Sequence, residues 1–122
     1  MIDINGLKNL RLLGGFFIFK IEFTPEPLLD ALGRDAIAQT RIVGREFRLL
    51  IRSDLPEEEL SITLYHEVLE AASVGSADPP GCVMDFNEGD FERAARAAHQ
   101  RWGNASARNL NRLLQFYEFS KE

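Results

Sequence analysis

Asp54-Leu55-Pro56-Glu57-Glu58-Glu59, running on into Leu60-Ser61-Ile62-Thr63-Leu64-Tyr65-His66-Glu67-Val68-Leu69-Glu70, is the stretch whose reading decides the fold. Asp54 stands where an N-cap would, and Pro56 suits a first helical turn, where its missing N–H is no loss. The three glutamates that follow meet the positive end of the helix dipole. The spacing predicts a helix from about Pro56 to Ser73. Leu60, Leu64, Val68 and Ala71, joined by Ile62, Tyr65, Leu69 and Ala72, make a wide apolar surface at helical intervals, so other elements must pack against it. Thr63, His66, Glu67 and Glu70 form the complementary polar stripe.

Upstream, Gly15 to Phe23 reads as a half-buried strand, with Lys20 and Glu22 alternating with Phe19, Ile21 and Phe23 at period two. Pro25 and Pro27 interrupt it, and Leu28 to Leu32 has room for a short helical turn before Gly33. Ala36 to Val43 and Phe47 to Arg52 are two more β-rich runs, and Gly44-Arg45-Glu46 between them suits a hairpin. Downstream, Asp78-Pro79-Pro80-Gly81 breaks the chain. A second helix is expected from about Asn87 to Trp102 and a third from Ala107 to Phe119. The predicted fold class is α+β: one domain over residues 1–122, with a small three-stranded antiparallel sheet packed on the motif-bearing helix and two C-terminal helices completing the core. Leu110, Leu113, Leu114, Phe116, Tyr117 and Phe119 are read as closing that core, because a chain this short needs its large apolar groups inside.

Composition narrows the function. The 122 residues are 45% hydrophobic and 27% charged, the balance of an ordinary globular domain, and too apolar for a disordered chain. Nineteen acidic residues against 14 basic ones give a net charge of −5, which disfavours a nucleic-acid partner. Arg93, Arg96, Arg101, Arg108 and Arg112 are interleaved with acids, as on a mixed solvated surface. The apolar runs are far shorter than the roughly 20 residues that span a bilayer, so no membrane association is expected. A lone cysteine, Cys82, and a start without a basic and apolar leader lead to the expectation of a reducing, cytoplasmic setting. Asp85, Asn87, Gly89, Asp90 and Glu92 lack the ligand spacing of an EF-hand calcium loop.

The chemistry concentrates at His66-Glu67-Val68-Leu69-Glu70. On a helix, His66 and Glu70 lie one turn apart on one face and could reach a single metal ion, with Glu67 beside them. The same pattern admits a plainer account, since a solvated helix face would also carry a histidine and two acids. Further along, Asp85-Phe86-Asn87-Glu88 has the spacing of a capping box, which would occupy Glu88, and Glu92 can pair with Arg96 at i,i+4. His99, between Arg96 and Arg101, reads as a surface residue.

Arg48 to Glu59, followed by Leu60 to Glu67 with Thr63-Leu64-Tyr65-His66-Glu67 at its centre, resembles the strand, acidic turn and active-site helix of the ImmA/IrrE group of gluzincin-type zinc peptidases. The resemblance covers about residues 47 to 95 and implies a zincin-like fold. It also implies a strand that binds substrate backbone beside the helix, and a general base at Glu67. That family carries H-E-x-x-H and a further ligand glutamate on the next helix. This chain has H-E-x-x-E, so the implied set is His66, Glu70 and a residue among Glu88, Asp90, Glu92 and His99. Glu92 is ranked first, Glu88 second, and His99 is considered as a replacement for the missing imidazole. A carboxylate in place of an imidazole makes the set harder and more anionic, moving preference from zinc toward manganese or iron. Two functions follow. The first is a degenerate, non-catalytic peptidase-like interaction module with a protein or peptide partner. The alternative is a metal-dependent hydrolase, a peptidase using His66, Glu70 and Glu92 as ligands and Glu67 as general base.

Overall fold

A computed structural model describes residues 2–29 and 32–119. The chain runs β1 (Leu10–Arg11), β2 (Phe17–Thr24), β3 (Leu28–Leu29), β4 (Asp35–Ala36), β5 (Ala38–Val43), β6 (Glu46–Arg52), α1 (Glu57–Gly75), α2 (Glu88–Trp102) and α3 (Ala107–Phe116). The α+β class is as expected, but the sheet is not three antiparallel strands. It is four-stranded, in the order β1-β2-β6-β5, with β2 and β6 parallel and the other pairs antiparallel. β3 and β4 form a separate two-stranded ladder where a helical turn was expected from Leu28. Residues 30 and 31 of that expected turn lie outside the described residues.

Burial explains the strand order. β6 turns Phe47, Leu49 and Ile51 inward at 0–2% exposure and takes a central place, whereas β5, which alternates with Gln39, Arg41 and Val43, goes to the edge. The expected period-two pattern of β2 breaks at a register shift between Ile18 and Lys20. A bulge there leaves Phe19 40% exposed and turns Ile18 and Ile21 inward.

α1 lies across the inner face, with Leu64, Tyr65, Val68, Leu69 and Ala72 fully buried. Its start is not capped by Asp54, whose carboxylate instead pairs with Arg52 at 2.6 Å. α2 and α3 close the other side through Phe91, Ala95, Ala98, Leu110, Leu113 and Leu114. Phe119 is buried beyond the end of α3, while Phe116 is 54% exposed, so core closure holds for most of the C-terminal apolar set. Among the described residues no helix is long and apolar enough to cross a membrane.

Candidate metal centre

The polar stripe of α1 does not face bulk water. It forms the floor of a groove of about 1040 Å³, walled by residues 38–42 of β5 and, on the other side, by Glu88 and Glu92 of α2. Thr63 is 3% exposed, and the side chains of His66 and Glu67 are 12% and 13% exposed. A solvated helix face is therefore excluded for these residues. Small residues on α2, Ala94, Ala95 and Ala98, let the two helices approach closely, which brings the first turns of α2 beside His66.

Four carboxylates crowd round one imidazole. His66 Nε2 lies 3.9 Å from Glu67 Oε2, 3.9 Å from Glu70 Oε1 and 2.9 Å from Glu88 Oε1, while Nδ1 is 2.8 Å from Glu92 Oε1. Thr40 of β5 donates its hydroxyl hydrogen to Glu67 Oε1 at 2.6 Å. Burial lifts the pKa of Glu67 against the lowering influence of Thr40 and His66. Glu70 is pushed up to about 7 by burial and by the negative charges of Glu67 and Glu88. Burial alone would lower His66, but the hydrogen bond to Glu92 and the charges of Glu67 and Glu88 outweigh it and raise its pKa. Burial first, and then mutual repulsion, disfavours the ionised form of both acids, and a bound cation would favour it. His66, Glu67 and Glu70 offer ligand atoms within 4.8 Å of one another, and this group could hold a metal ion.

The expected ligands are brought together unequally. His66 and Glu70 converge as their spacing implies, and Glu67 sits between them. Glu92 makes the pairing foreseen with Arg96, Oε2 to Nε at 2.9 Å; expected to share an ion with His66 and Glu70, it instead meets His66 at Nδ1, on the opposite side of the ring from Glu67 and Glu70. Glu88 reaches Nε2 because it is not held in a cap: Asn87 and Asp90, not Asp85 and Glu88, form the capping box of α2. Asp90 is committed to that box and to Arg93. His99 turns away to Ser61, with Nδ1 2.8 Å from Oγ, and is neither at the centre nor a free surface residue, its side chain being 18% exposed. Thr40 had no signal in the sequence, since only the packing of β5 on α1 brings it to Glu67.

No known protein family, curated protein or solved structure matches this chain.

Proposed function

We propose that this chain is a zincin-like domain that binds one divalent metal ion, zinc, manganese or iron, at the floor of the groove and acts there as a metal-dependent hydrolase on an extended peptide. The single observation that carries this reading is the convergence of Glu67, Glu70 and Glu88 on Nε2 of one histidine whose side chain is 12% exposed. The donor set fits such an ion: one imidazole nitrogen with carboxylate oxygens, in a pocket where burial and then neighbouring negative charge lift the pKa of Glu67 and Glu70. His66, Glu70 and Glu88 would hold it, and it would supply a Lewis acid that makes water more acidic. Glu67, pinned by Thr40, would take the proton from that water.

The groove supports the peptide part. Ile37 C=O accepts from Arg52 N–H at 3.0 Å, so in the antiparallel ladder the alternate residues Ala38, Thr40 and Ile42 turn their backbone N–H and C=O groups away from β6. An extended chain could pair with them and run past His66. Leu29, Leu32, Ile37 and Val74, all exposed, line the same groove and offer an apolar surface to its side chains.

A second reading is favoured by a different feature: both ring nitrogens of His66 already have carboxylate partners, so the site is internally satisfied as it stands. On that reading the groove binds a peptide without cleaving it.

Metal titration of the untagged chain, followed by hydrolysis of a mixed peptide library, separates the two. The first reading expects about one ion per chain, loss of binding in His66→Ala, and a Glu67→Gln variant that keeps metal but cleaves nothing. Peptide binding that is unaffected by metal removal, with no hydrolysis, supports the interaction module and sinks the hydrolase.

A further inference from the structure

We infer that Glu92, clamped by Arg96, is a positioning residue that holds His66 through Nδ1, and that Glu88 is the carboxylate α2 offers to the metal. The inference rests on the metal reading above and assigns roles within it. The two nitrogens of an imidazole point to opposite sides of the ring, so a carboxylate that holds one is not placed to share an ion with the other. Glu92 Oε1 is 2.8 Å from Nδ1, and its second oxygen is taken by Arg96 Nε at 2.9 Å. Both oxygens of Glu92 are committed. Arg96 in turn approaches Glu59 of α1 at 3.8 Å, so the chain His66, Glu92, Arg96, Glu59 begins and ends on α1 and passes through α2. This fixes the ring's rotation relative to both helices.

With Nδ1 donating to Glu92, Nε2 is left facing Glu67, Glu70 and Glu88. Glu88 comes closest, at 2.9 Å, and its side chain is 63% exposed, with no role in the helix cap. A histidine that ligates a metal commonly donates its other ring N–H to a carboxylate, which fixes the tautomer and makes the ligating nitrogen a better donor. Losing such a partner typically weakens metal binding 10- to 100-fold. Glu88 is available for this role because the capping box lies two residues further on than its spacing predicted, at Asn87 and Asp90.

The test uses the full chain with two readouts. In nitrogen-15 NMR of the metal-free protein, the Nδ1-bound proton of His66 should be protected from exchange, should lose that protection in Glu92→Gln, and should keep it in Glu88→Gln. In titrations with Co²⁺ followed by its visible absorption, Glu92→Gln should bind about 10- to 100-fold more weakly with an unchanged band shape. Arg96→Met should weaken binding less and Arg96→Lys should recover part of the loss, while Glu88→Gln should change the band shape itself. A band shape altered by Glu92→Gln and untouched by Glu88→Gln would reverse the assignment and overturn the proposal, as would an Nδ1 proton indifferent to Glu92. A parent chain that takes up no Co²⁺ defeats the metal reading and the role of Glu88. The imidazole proton still decides, separately, whether Glu92 holds His66.

Discussion

Glu70 occupies the residue position that matters most to the chemistry, one helical turn beyond His66 with its carboxylate 3.9 Å from Nε2. Its pKa stands at about 7 in the folded chain against an ordinary 4.5, so between those values the folded state keeps a proton that the unfolded state releases. Glu67, also raised, acts in the same direction. His66, raised above 6.5, contributes stability at low pH that is lost as pH climbs through its folded value. All three shifts therefore have one sign, and the Tm of the metal-free chain should fall as pH rises from about 5 to about 8. Thermal scans across that range check it, and a Tm that rises instead would contradict the burial of these acids. Saturating divalent metal should flatten or reverse the slope, because ligands must be deprotonated to bind. Glu70→His removes one carboxylate and places two imidazoles one turn apart on the groove floor. Its side chain is 33% exposed, so no core volume is disturbed. Zinc affinity should rise measurably by calorimetry; a folded variant with no gain would mean that the remaining donors do not share an ion with position 70.

At the scale of elements, α1 is fastened at both ends by contacts that the groove depends on. Near its start Ser61, fully buried, accepts the Ala105 N–H at 2.9 Å and meets His99, while Tyr65 donates to Gly103 C=O at 2.9 Å. These bonds hold the α2–α3 connection against α1 and keep the packing of α2 in register, and with it Glu88 and Glu92. Ser61→Ala strands a buried N–H and should cost about 1–3 kcal/mol in denaturant unfolding. At the other end, Gly75 fits under the turn joining β5 and β6, where an added Cβ would lie 2.8 Å from Gly44 O. Alanine in place of a helical glycine gains at most about 1 kcal/mol of propensity, less at a terminus. Pushing against a backbone oxygen costs about 1–3 kcal/mol, so Gly75→Ala should be net destabilising and should shift β5 relative to Glu67. Unfolding curves measure the first effect, and the chemical shift of Thr40 reports the second.

For the whole molecule, stability rests on a core that, among the described residues, joins the sheet, α1 and the two later helices. Leu114, fully buried on α3, should cost about 2–5 kcal/mol when cut to alanine, a large part of the roughly 5–15 kcal/mol available to a domain. Chemical denaturation would show it, and a change below 1 kcal/mol would mean that α3 is not an integral wall. Several features were legible in the sequence because they are set by neighbours a few residues apart: three helices with ends within about three residues of expectation, the β5–β6 hairpin, and the one-turn spacing of His66 and Glu70. The parallel pairing of β2 with β6 was not legible. It joins segments separated by the β3–β4 ladder and β5, and only the competition among strands for the central, doubly paired place decides it. The same holds for the candidate centre. Local spacing determines that His66, Glu67 and Glu70 share a helix face. Tertiary packing decides that this face is buried against β5 and α2, that Thr40 reaches Glu67, and that Glu88 and Glu92 approach opposite sides of one ring, because such contacts depend on how helices and sheet pack across distances that no local pattern encodes.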